Sequence, residues 1–125
     1  MIEFTIKPDK NRKEYFIIKI FDNLHQLKKY GNEQEKGLGN GCDAFFYGKF
    51  PKRGDYCIGE IVFTLTRFTH PTIAHETTHA MFHWLRFLHG KLNNKTVDKI
   101  EEKLVIANEN LVEQIILKFQ RRKRE

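Results

Sequence analysis

Three residues in the stretch PTIAHETTHAMFHWLRFLHG (residues 71–90) have the types and the spacing to do chemistry: His75, Glu76 and His79. On a helix, residues i and i+4 stand one turn apart on the same face. Two imidazoles so placed can bind one Zn²⁺ at about 2.0–2.1 Å each. The residue after the first histidine points about 100° away, toward the rim of such a site. A glutamate there can take a proton from a water that the metal polarises without itself displacing the water. The alternative is a pair of surface histidines with Glu76 as an ordinary solvated acid.

A helix must carry these residues, and the period of the sequence provides one. From Pro71, which suits a first helical turn, Ile73, Thr77, Ala80, Met81, Trp84 and Leu88 fall on one face. His75, His79, His83 and Arg86 gather on the other side, and Gly90 is a good stop. A second helical pattern follows, with Thr96 as its expected cap and Asp98, Glu101 and Glu102 in its first turns, where carboxylates suit the helix dipole. This helix is expected to bury Val97, Ile100, Leu104, Val105, Leu111, Val112, Ile115 and Phe119.

Before residue 70 the chain reads differently. IEFTIK, EYFIIKIF, CDAFFYGKF and CIGEIVFTLT read as four strands, the last two joined by a hairpin turn at PKRGD. DNLHQLKKYG reads as a short helix ended by Gly31, and NEQEKGLGNG as a polar loop. The expected fold is α+β: a small N-terminal β-sheet with a short helix, followed by the HETTH helix and a C-terminal glutamate-bearing helix packed as a hairpin.

The 125 residues are enough for one domain with one modest core, and 40% hydrophobic content allows it to fold alone. We expect that domain over residues 1–120, with 121–125 as a basic tail. There is no apolar run of bilayer length and no signal-peptide core, so a cytoplasmic location and no membrane partner are expected. Cys42 and Cys57 form no CxxC pair and are expected to be free and partly buried. The net charge of +6 owes much to KFQRRKRE. No stacking aromatic or recognition motif accompanies that run, so it reads as a solvated terminus rather than a nucleic-acid site.

With its HETTH motif, the preceding strand, and a following helix with the sequence IEEKLVIANENLVEQI, the chain resembles small zincin metallopeptidases of the gluzincin kind. It is similar in particular to the minimal single-domain ones of phages and mobile elements, over roughly residues 57–116. The resemblance implies a zinc peptidase in which His75 and His79 bind the metal, Glu76 is the general base and acid, and a glutamate on the next helix is the third ligand. The metzincin alternative is absent, because Phe82 and Leu85 stand where its glycine and third histidine would be. Glu101, in phase with Leu104, Val105, Asn108 and Val112, is the favoured third ligand. Glu102 is the alternate, and Glu109 the fallback if the hairpin is tight. His83 lies too far along the helix to join and reads as a solvated or outer histidine. The resemblance also implies that the strand before the metal helix, GEIVFTLT, takes the substrate as an added strand. It calls for an oxyanion donor as well, for which His70, His83, Arg86, Tyr47 and Tyr56 are candidates.

Two functions compete. One is a zinc-dependent hydrolase acting on a peptide or protein, in a chain so short that a second copy in a homodimer or another partner could complete its cleft. The other is a non-catalytic binding or regulatory module on the same scaffold. A purely structural zinc site has no need of Glu76, which favours the enzyme.

Overall fold

The computed structural model describes residues 1–90 and 94–124, except for the side chains of residue 94 and residues 96–102. It is an α+β fold with helices on both faces of a four-stranded sheet. The strands are β1 (Ile2–Ile6), β2 (Tyr15–Phe21), β3 (Ala44–Gly48) and β4 (Cys57–Thr64). Their order across the sheet is β1-β2-β4-β3. β1 pairs antiparallel with β2, β2 parallel with β4, and β4 antiparallel with β3. A parallel neighbour requires a crossover, and that crossover carries α1 (Leu24–Gln34) and β3 before the chain enters β4.

β4 is therefore an interior strand, and all eight of its residues are buried. This corrects the expectation that GEIVFTLT takes a substrate: its hydrogen-bonding edges are already filled by β2 and β3. A strand covered on both faces reads as a nearly continuous apolar run, as CIGEIVF does. The edges of the sheet are β1 and β3.

One face of the sheet carries α2 (His70–His89) and α3 (Asn94–Arg124). Phe16, Ile18 and Ile20 of β2 and Ile61 and Phe63 of β4 meet Ile73, Ala80, Met81, Trp84, Leu111 and Ile115 there. The other face carries α1, through Leu27 against Phe45 and Val62. The alternation along β2 supplies both faces, since its even-numbered residues are buried and its odd-numbered ones only partly so.

Four local expectations change. Gly31 does not end α1, which runs on to Gln34. A Cβ on Gly31 would stand 2.8 Å from Gly39 Cα, so this glycine lets the following loop close against the helix. α3 begins at Asn94, two residues before Thr96, so Thr96 lies within the helix and does not precede it as a cap. Val105, placed on the buried stripe by its phase, is 47% exposed, while Ala107, Leu111, Val112 and Ile115 are buried. Val97 and Ile100 have side chains outside the described residues. Finally, the basic run at 121–124 continues α3, and Arg121 and Arg122 stand beside Phe4, Thr5 and Lys118.

Candidate metal centre

α2 starts where the sequence allows it to start. The Thr69 hydroxyl accepts a hydrogen bond from the Thr72 N–H at 3.4 Å, and Pro71 occupies the first turn, where no backbone donor is needed. The helix ends at Gly90, whose φ of 70° is left-handed. In between, Ile73, Thr77, Ala80, Met81 and Trp84 fix its rotation on the sheet. That rotation leaves His75 and His79 exposed and turns Glu76 inward.

His75 Nε2 and His79 Nε2 lie 3.3 Å apart, with their rings edge to face at 81°. Two nitrogens about 2.0–2.1 Å from a common tetrahedral centre are separated by about 3.3–3.4 Å. The pair thus has the spacing that one shared metal ion asks for. Glu76 Oε1 is 3.9 Å from His75 Nε2. The Glu76 residue is 7% exposed. Burial pushes its carboxyl above the ordinary range, and the neighbouring His75 and His79 pull it back only in part.

Glu76 and His79 form one end of a cleft of about 700 Å³ between α2 and the edge strand β3. Ala44, Phe46 and Gly48 of β3 line it, together with Asn40 and Cys42 from the glycine-rich loop. Cys42 and Cys57 are both free. Burial, and then the carboxylates of Glu76 and Asp43, raise the Cys42 thiol despite a hydrogen bond from the backbone N–H of Ala44. That thiol donates to the Leu38 carbonyl at 3.5 Å.

His83 corrects the sequence reading. It is buried, with Nε2 2.9 Å from the Lys49 carbonyl oxygen and its ring between Phe46 and Phe50. β3 covers the flank of α2 that helical phase alone had left to solvent. A Cβ on Gly48 would stand 2.7 Å from the His83 ring, so the histidine and the strand fit only because residue 48 is glycine.

Among the described residues, no third His, Cys, Asp or Glu joins His75 and His79. The side chains of Glu101 and Glu102 lie outside the described residues. α3 runs back along α2, with Lys103 Nζ 5.6 Å from the Trp84 ring and Glu109 sharing a pocket with His70 and Ala74. The fallback ligand Glu109 is therefore placed against the first turn of α2 and is not gathered with the histidine pair.

The candidate oxyanion donors scatter. Tyr47 packs on the α1 face of the sheet, and Tyr56 lies near Lys13 and Phe87. His70 sits by Glu109. Only His83 and Arg86 line the cleft. Sequence reasoning missed β3 and its flanking loop as the opposite wall of the site. The alternation of Ala44, Phe46 and Gly48 was visible, but nothing local tells which strand lies beside α2.

Among the described residues, no helix is long and apolar enough to cross a membrane. Compared with family models, with curated proteins and with solved structures, the chain matches none.

Proposed function

We propose that this chain is a zinc-dependent peptide hydrolase of minimal zincin type. The observation that carries the reading is the pair of imidazole nitrogens 3.3 Å apart with a buried carboxylate beside them, opening on a cleft walled by an edge strand. His75 and His79 would hold the metal. Glu101, or else Glu102, is the proposed further ligand, and to reach the pair the first turn of α3 would have to move from the position that sets Lys103 beside Trp84. Bound zinc supplies a Lewis acid that polarises a carbonyl and lowers the pKa of water.

The chain's own residues do the rest. β3 offers its outer edge to an extended peptide, which pairs as an added strand and lays its backbone across Glu76. The water oxygen bonds to the carbonyl carbon while the Glu76 carboxylate takes one of the water's protons. Glu76 returns that proton to the amide nitrogen as the C–N bond breaks, leaving a carboxyl group and an amine.

The test is zinc content per chain after dialysis, in parent, His79→Ala and Glu101→Ala, followed by peptide hydrolysis with Glu76→Gln as control. One equivalent in the parent, lost in His79→Ala and weakened in Glu101→Ala, with hydrolysis that depends on Glu76, is the expected result. A parent that binds no zinc even when metal is added overturns the reading and leaves a non-catalytic binding module.

A further inference from the structure

The cleft does not stop at Glu76 and His79. It continues along α2 for two more turns, past Phe46, Phe50 and Phe82, to Arg86. Phe50 is 74% exposed and Phe82 38% exposed, so two large apolar rings stand open to solvent on its walls. Arg86 is exposed and has no ion-pair partner among the described residues. The histidine between them is committed, since His83 Nε2 is engaged by the Lys49 carbonyl. Along the lining, the carboxylate of Glu76 lies at one end and the guanidinium of Arg86 at the other.

Spacing converts this into a substrate. Arg86 lies two turns beyond His79, about 10 Å at ~1.5 Å per residue. An extended peptide covers that distance in about three residues. β3 and α2 run in the same direction here, since Cys42, just before β3, lies close enough to Glu76 to feel its charge and Gly48 lies against His83, so a strand added to β3 passes along this face of α2. Exposed rings, not a wall, flank the Arg86 end, so a chain can continue past it.

Resting on the peptide-hydrolase reading, the geometry points to a substrate class: an extended peptide with a large apolar side chain against Phe50 and Phe82, and an Asp or Glu side chain about three residues from the cleaved bond, paired with Arg86. A guanidinium presents its donors as a rigid fork to a carboxylate. Arg86 and both rings stand exposed, so the pair is screened by solvent and its contribution is that of a surface ion pair.

The experiment separates recognition from cleavage. Labelled decapeptides, acetylated and amidated, carry one central Phe and, two to four residues from it, Glu or Gln. Their binding to full-length Glu76→Gln protein is read by fluorescence anisotropy, with zinc and with chelator. We expect the Glu peptides to bind about two- to fivefold more tightly than their Gln counterparts at the matching position. That preference disappears in Glu76→Gln/Arg86→Ala and passes to Lys peptides in Glu76→Gln/Arg86→Glu. Equal binding of Glu and Gln peptides at every position overturns the proposal, as does a preference that survives Arg86→Ala or that requires a free C-terminal carboxylate. Hydrolysis by the parent is mapped on the same peptides. Cleavage without acidic preference removes the Arg86 assignment alone, whereas acid-selective binding without cleavage removes the hydrolase reading alone. Arg86 is exposed, so its variants are expected to keep the parent's melting temperature, which serves as the folding control.

Discussion

Two glutamates are buried to nearly the same degree on opposite faces of this sheet, Glu60 at 2% exposure and Glu76 at 7%. On the α1 face, Glu60 accepts from Lys19 Nζ at 2.9 Å, Lys49 Nζ at 2.8 Å and the Tyr30 hydroxyl. Burial alone would raise its carboxyl, but the hydrogen bonds from Lys49, Tyr30 and Lys19 outweigh it and hold the group below the ordinary range. On the cleft side, no described residue donates a hydrogen bond to Glu76, and burial carries it the other way. Burial alone therefore does not tell the two apart. The donors do: three hydrogen bonds to Glu60 hold it ionised, whereas Glu76, with none from a described residue, keeps its acceptor sites open.

The largest effect that can break this contrast belongs to Glu76→Gln. We expect peptide hydrolysis to fall by about 10²–10⁴-fold, with zinc content and melting temperature unchanged. A parallel loss of stability would place Glu76 with Glu60 as a structural acid. The reverse holds on the other face. Glu60→Ala is expected to cost about 2–4 kcal/mol in urea unfolding, because it leaves Lys19 and Lys49 facing one another beside a buried void, while any hydrolysis by the folded fraction is retained. A change below about 0.5 kcal/mol would mean the network contributes nothing, and the contrast would fail from that side.

Acid sharpens the same point. Glu60 has its pKa depressed in the folded state, so the stability it supplies is complete above its unfolded value of about 4.3–4.5 and is lost as pH falls through the lower folded value. Lys19 and Lys49, both raised, supply stability that is complete below about 10.4 and lost as pH climbs through their folded values. Urea midpoints measured from pH 5 down to pH 2 are expected to fall less steeply in Glu60→Gln than in the parent. Equal slopes would show that Glu60 is not held below its ordinary value.

How far the sequence reached depends on how local the physics is. The pairing of His75 with His79 on one face was legible because a four-residue spacing is settled by the helix alone. The 3.3 Å nitrogen separation also needs the two ring rotamers, which only the structure gives. The α+β class and the segments that became strands were legible from period and turn residues. Three other features were not, because each depends on a distant neighbour. The interior place of β4 is set by pairing with β2 and β3. The burial of His83 is set by β3 lying against the flank of α2. The role of Gly31 is set by the loop that returns to touch it at Gly39. The set of donors around Glu60 was equally hidden, since they come from β2, α1 and the residue after β3.

The smallest expected effect probes how the cleft is held open. Gly48→Ala sets a methyl group 2.7 Å from the His83 ring, a distance that real side chains do not tolerate. Either the ring swings outward, breaking its hydrogen bond to the Lys49 carbonyl, or β3 shifts away from α2. Such overpacking typically costs about 1–3 kcal/mol, and we expect about 1–2 here because Phe50, the other ring against His83, is exposed and can yield. The two responses differ in what they do to peptide binding. A swung ring enters the cleft between Glu76 and Arg86 and raises KM with kcat little changed, while a shifted β3 moves the added strand relative to Glu76 and lowers kcat as well. A restoring second change, His83→Ala, removes the ring that the methyl strikes. If Gly48→Ala/His83→Ala recovers the parent's kcat while Gly48→Ala alone has lost it, the glycine and histidine set the distance between strand and helix. If the double variant is no better than the single one, the spacing of the cleft is held by the Phe46 and Phe16 contact beneath it.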